Sequence, residues 1–222
     1  MHDEEEAVAN EARRFPGRKV GRKPTFSRQD AINAAFAEGI GSFTLAGVAK
    51  RLRVAPPAIY RLFPSRDDLV NACLDHAVAT IELPRVDDSW QTALMLWADE
   101  CWRLCETYPG LSHLVFSVPT ALVRAESVIS EYVNVLMRHG KSPRQGMFAM
   151  DFIGDTVFAS HLGVQALRDA DAQGETGLEA MRRELEESES HLEPEDSWIG
   201  RSMMDAKVRF IIDGLKNNWP EF

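Results

Sequence analysis

A turn of only two residues, Arg53-Val54, separates two short runs whose apolar residues recur at helical spacing, and this constrains the chain more than any other feature. Thr44, a good N-cap residue, opens the first run, Leu45 to Leu52. Pro56 and Pro57 open the second, where a missing N–H costs little, and it stops near Phe63-Pro64. Helices joined so tightly cross at close range, and Ala49 is small where they do. Val48, Leu52, Val54, Ile59 and Leu62 are spaced to share one small core, leaving Pro57, Ala58 and Arg61 outward on the second helix. Flanking helices are signalled by two Ser-x-x-Asp pairs, Ser27 with Asp30 and Ser65 with Asp68. The first carries Ile32, Ala35 and Phe36 and ends at Gly39 and Gly41; the other runs from Arg66 to about Glu82.

Charge is segregated around this unit. Residues 13–66 hold twelve Arg or Lys against Asp30 and Glu38, a net of +10 in a chain of −9, so the remainder carries −19. A basic block beside an acidic body suggests that one part alone meets phosphate. A short exposed helix in that block suits a major groove, where Arg61 is the strong guanine reader available and Pro57 and Ala58 could touch thymine methyls. Residues 1–24 read as a flexible arm, acidic and then basic, whose Arg18, Lys19, Arg22 and Lys23 could enter a minor groove.

The remainder also reads as helix: Ser89 to Tyr108, Leu111–Ser117, Thr120–His139, a long apolar helix over 147–167, a frayed piece around Leu178–Glu187, and a last helix from about Ile199 to Asn217. Neither strand alternation nor hairpin turns are present, so the expected class is all-α. The expected division is an arm at 1–24, a helix-turn-helix DNA-binding domain at 25–75, and a larger helical ligand-binding and dimerisation domain at 76–222.

The stretch Thr44, Val48-Ala49, Val54, Ile59-Tyr60, Phe63-Pro64-Ser65-Arg66 and Leu69 resembles the TetR family of bacterial repressors. The likeness covers about residues 25–75. Pro57 with Tyr60, and the Trp90-to-Pro119 stretch, look closest to the tetracycline-repressor-like branch. The resemblance implies a homodimeric regulator that binds double-stranded operator DNA and is released by a small-molecule effector. It places phosphate contacts at Thr44, Tyr60 and Arg66, all residue types suited to that contact. Two departures stand out: Arg53 occupies a turn position where the family usually has Gly, and Ala55-Pro56-Pro57-Ala58 supplies few hydrogen-bonding base readers.

In the body, Trp97, Cys101, Trp102, His113, Phe116, Phe148 and Phe152 are the expected pocket lining, aromatic with a few polar groups. Asp151 and Asp155 could bind a cationic ligand or pair with Arg. Met150, Ile153 and Val157 on the long helix, with Met204, Val208, Ile211 and Leu215 on the last, are the expected dimer stripe. Phosphate-binding Gly loops, His-Glu-x-x-His, Gly-x-Ser-x-Gly and Cys-x-x-Cys are all missing, so no enzyme, cofactor or metal site is expected. Three cysteines cannot all pair, the start is acidic, and no apolar run is long enough for a membrane, which together point to a soluble cytoplasmic protein. The rival reading is a helical small-molecule-binding protein without DNA-regulatory activity.

Overall fold

Ser27 opens the first helix as a capping box: the Asp30 amide donates to its hydroxyl at 3.1 Å, and its own amide donates to the Asp30 carboxylate at 2.7 Å. The same reciprocal pair recurs at Ser65/Asp68, Ser142/Gln145 and Thr176/Glu179. In the computed structural model, which describes residues 26–186 and 191–221, these caps set the starts of α1 (Arg28–Glu38), α4 (Arg66–Val78), α9 (Pro143–Arg168) and α10 (Gly177–Leu185). Between them lie α2 (Leu45–Arg51), α3 (Pro56–Tyr60), α5 (Trp90–Thr107), α6 (Leu111–Ser117), α7 (Ala121–Arg124) and α8 (Glu126–Arg138); a 3-10 turn at Asp196–Ile199 leads into α11 (Ser202–Asn217). Among the described residues there is no strand, and one isolated bridge joins Ala170 to Thr176. None of the described helices is long and apolar enough to cross a membrane.

Five boundaries differ from the sequence expectation, the end of α3 at Tyr60 among them. α4 stops at Val78 because its continuation is intercepted. The Glu82 amide, which a longer helix would give to the Val78 carbonyl, donates instead to the buried Glu100 carboxylate at 2.9 Å. Arg103 holds Glu100 and also donates to the Thr80 carbonyl at 2.8 Å, and the Tyr132 hydroxyl donates to the Glu82 carbonyl. The expected Thr120–His139 helix is two, α7 and α8, divided at Ala125. α9 begins at Pro143 rather than 147, where the Ser142/Gln145 box starts it. The last helix begins at Ser202, after the 3-10 turn.

The body is organised on α9, which packs against α5, α8 and α11. The Trp97 indole N–H donates to the Met150 carbonyl at 2.9 Å, satisfying the buried donor across the α5–α9 contact. α1 to α4 form a head on one end of this body. The Phe36 and Tyr108 rings meet at 4.2 Å, and the Ile40 amide donates to the Pro109 carbonyl at 3.1 Å. Gly110 is needed there: its φ is +90°, and a Cβ would stand 3.0 Å from the Gly41 nitrogen.

Candidate nucleic-acid interface and ligand cavities

The head presents α3 because α2 and the turn after it are locked. Thr44 accepts the Gly47 amide at 2.9 Å, which leaves its exposed hydroxyl hydrogen free to donate elsewhere. At the other end of α2, Arg53 donates its amide to the Lys50 carbonyl at 3.1 Å and Val54 to the Ala49 carbonyl at 3.0 Å. That pair is a Schellman motif, and it puts Arg53 at φ 56°. A side chain in the left-handed region costs roughly 1 kcal/mol. The two terminal hydrogen bonds offset it, which answers how this turn does without Gly.

On α3 the Ile59 side chain is buried against α2, while Pro57 is exposed, Ala58 half-buried and Tyr60 50% exposed. An aromatic so open is not a core residue. Arg61, just past the helix end, is exposed. α3 ends at Tyr60, shorter than the expected run to Phe63, as the chain tightens into a turn.

Arg66 is differently employed. It is half-buried; its Nε donates to the Phe43 carbonyl at 3.1 Å, its Nη2 to the Gly41 carbonyl at 2.8 Å, and its guanidinium lies over the Phe43 ring at 5.0 Å. It therefore pins the loop that leads into α2. Arg28, which sequence reasoning did not single out, does the same for α3: Nη1 donates to the Leu62 carbonyl at 2.8 Å, with the guanidinium 4.2 Å over Phe63. No local signal reveals a partner 34 residues away. Arg18, Lys19, Arg22 and Lys23 lie outside the described residues.

The structure does not bring the seven expected pocket residues onto one cavity. Trp97, Cys101 and Trp102 are buried in α5, Phe148 is half-buried, and His113, Phe116 and Phe152 are exposed. Trp97 lines a small cavity of about 60 Å³ with Val115, Leu122, Met150, Phe158 and the Asp151/Asp155 pair. Among the described residues neither carboxylate sits in an ion pair; burial first, and then Asp151, raise the pKa of Asp155. His113 lines a second, larger cavity of about 540 Å³ beside the Gly39–Ser42 loop. Phe148 belongs to a groove with Pro143, Arg144 and Met147, and Phe152 to another with Phe210. Cys101 is joined in burial by Cys73 and Cys105, whose thiols burial pushes up to about 12, so all three stay protonated at neutral pH.

The expected dimer stripe needs correction. Met150, Ile153, Val157, Met204, Val208, Ile211 and Leu215 are all buried within the single chain, packed between α9, α11 and their neighbours. The opposite faces of the same helices are open: Phe152, Met203 and Phe210 are exposed, and with Thr156, Ala206 and Lys207 they line a shallow groove of about 430 Å³ that only the edge of Ile211 reaches. Each helix carries exposed apolar side chains beside its buried stripe, on α11 interspersed with Lys207, Arg209 and Asp213, and the longer stripe is the one the protomer keeps. The second signal in the sequence is the seven-residue spacing of Met203 and Phe210.

Comparison with known proteins agrees with this architecture. Residues 30–73 match the family described as bacterial regulatory proteins, tetR family. The solved structure of TetR from Acinetobacter baumannii AYE aligns over 86% of this chain and 97% of its own, at 20% identity and a TM-score of 0.62. A variant of that protein in complex with minocycline aligns over the same shares, at 19% identity and a TM-score of 0.59. A Streptomyces coelicolor A3(2) protein described as "a possible TetR family transcriptional regulator" aligns over 85% of this chain and 96% of its own, at 18% identity and a TM-score of 0.62. No curated protein matches the chain by sequence. At these identities the structural likeness speaks for the fold.

Proposed function

Because residues 30–73 match the tetR family of bacterial regulatory proteins, we propose that the whole chain is a homodimeric, one-component transcriptional repressor of that family, released from operator DNA by a small molecule. The observation that carries the reading is α3: a short helix held from behind by Ile59, Arg28 and the Arg66-pinned loop, with Pro57, Tyr60 and Arg61 outward. Arg61 reads a base edge, Ala58 and Pro57 touch apolar groups, and Thr44 and Tyr60 position the phosphate backbone. Arg66 supports that surface from inside, with one Nη1 left for a phosphate. Two such heads related by a two-fold axis fit symmetric half-sites.

The effector is proposed to enter beside Trp97, opening the α5–α9 cavity. Leu122 of α7 forms part of its wall, and α7 touches α4, where Arg124 pairs with Asp75 at 3.4 Å. A ligand that displaces α7 therefore pulls on the helix that carries the head. A near-complete switch needs a preference for the released state of about 5 kcal/mol.

The test is fluorescence anisotropy on a duplex from upstream of the protein's own gene. Wild type should bind with an affinity that falls steeply with salt. Arg61→Ala should cost about 1–3 kcal/mol there and relax the preference at one base pair per half-site. Binding that ignores salt, or an Arg61→Ala variant with unchanged affinity and specificity, rules the reading out and favours a ligand-binding protein without DNA activity.

A further inference from the structure

The cleft of about 540 Å³ lies where head meets body, roofed by Gly39, Gly41 and Ser42 and walled by the ends of α5, α6 and α9. It is separate from the cavity beside Trp97, with which it shares no lining residue. His161 sits in its wall at 3% exposure, with its ring edge-on to Trp102 at 5.0 Å. Nδ1 lies 3.3 Å from the Ser112 hydroxyl, but Nε2 is closed from solvent and has no hydrogen-bond partner. It faces Glu106 Oε1 at 3.5 Å, too long for a good bond, and that oxygen already accepts from Arg168 at 2.7 Å. Burial holds the imidazole below its ordinary pKa, so it is neutral, with one N–H. The carboxylate beside Nε2 selects the tautomer with the hydrogen there, and the Ser112 hydroxyl then donates to Nδ1. The result is a buried donor held only by a long contact to an oxygen already engaged by Arg168, which a better-placed acceptor could replace.

The surrounding charge says what would bring that acceptor. Glu106 and Asp169 line the cleft, and no Lys or Arg does among the described residues. Asp169 accepts from Gln165 at 2.7 Å. Arg168 already offsets the Glu106 charge, so the Asp169 carboxylate, in no ion pair among the described residues, sets the sign of the cleft and favours an ammonium group over an anion. A hydroxyl can accept from the His161 N–H and donate to Glu106 at once, once the Glu106 side chain, 42% exposed, turns aside. The volume suits a molecule of sugar size or larger.

We propose that this cleft is a second small-molecule site, separate from the effector cavity, which takes a polyhydroxylated amine through His161, Glu106 and Asp169. An occupant bridges the Gly39–Ser42 loop and the body, so it holds the head at one angle. Binding itself stands apart from the regulatory reading; only its consequence for DNA rests on it.

Glucosamine, glucose and gluconate test this, since they share a polyhydroxy skeleton and differ in charge. Each is titrated into full-length protein labelled with ¹⁵N-histidine, and the ring nitrogens of His161 are followed by NMR. Glucosamine should move those signals and bind about tenfold tighter than glucose, with gluconate inert. Asp169→Asn should reduce the gap between glucosamine and glucose to about twofold or less, and His161→Phe, which keeps the ring, should weaken both about tenfold. Should gluconate bind as well as glucosamine, or glucosamine bind without moving His161, or none of the three bind, the proposal is overturned. No arm requires DNA, so failure here is distinct from failure of the repressor reading.

Discussion

Removing the Arg66 guanidinium leaves the carbonyls of Gly41 and Phe43 without donors where the chain enters α2. Hydrogen bonds from a charged group contribute about 1.5–3 kcal/mol, so Arg66→Ala should lower the stability of the protein by about that amount in urea unfolding. Arg61→Ala, which removes an exposed side chain, should stay within about 0.5 kcal/mol of wild type. Equal losses in the two variants contradict the division between a supporting and a reading arginine. Both residues are cations in the same basic block, and sequence alone treats them alike. What separates them is two backbone carbonyls 23 and 25 residues away, a contact that no local pattern encodes.

At the scale of elements, the starts of the head helices were legible, whereas the Ser142/Gln145 box that opens α9 four residues early was passed over and the end of α4 was not displayed locally. Ser27, Thr44 and Ser65 cap helices through partners three residues on, so the sequence displays both halves of each device. The end of α4 depends on Glu100 and Arg103, which lie on another helix, and reading it from local spacing extends it too far. The apolar character of α9 was visible, but which side the protomer buries is settled by α5 and α8, and on α11 the outward pair Met203 and Phe210 was not singled out. The expected pocket scattered for the same reason: aromatic content marks burial, not convergence. α10 shows an equally tight constraint in one atom. A Cβ on Gly177 would fall 2.1 Å from the Ala166 carbonyl oxygen. Gly177→Ala should therefore cost about 1–3 kcal/mol by overpacking and lift α10 from α9. Limited trypsin digestion should read this as faster cleavage at Arg182 and Arg183; an unchanged rate means that the contact yields without loss.

For the whole molecule, the open faces of α9 and α11 predict how copies meet. Phe210 is 80% exposed, and Phe210→Asp should convert a particle of twice 24.9 kDa into one of 24.9 kDa in sedimentation, without unfolding it. Ile211→Asp places a charge in the protomer core instead and should unfold the chain. A monomeric wild type sinks the dimer assignment. Stability should also depend on acid above the carboxylate range. The pKa of His161 is held below 6.5, chiefly by burial, so below that pH the unfolded chain takes up a proton that the folded chain resists. Stability should fall between pH 6.5 and about 4.5, before Glu100 loses its charge, and His161→Phe should flatten that slope. A slope that survives the substitution assigns the titration elsewhere. The junction of head and body has a consequence of another kind. On one side its contacts are main-chain ones, the Ile40 amide on the Pro109 carbonyl and Gly41 against Gly110, with the Phe36–Tyr108 ring pair beside them. Where the joint is made of main-chain atoms it is indifferent to side-chain identity, whereas the α4–α7 seam, with Arg124 on Asp75, is not, so specificity and sensing are free to diverge on either side as long as that seam is kept. A head from another chain that keeps the Gly-Ile-Gly loop, an aromatic at position 36 and the α4 side of that seam should graft onto this body and fold, yielding a hybrid that reads a foreign site under this protein's own control.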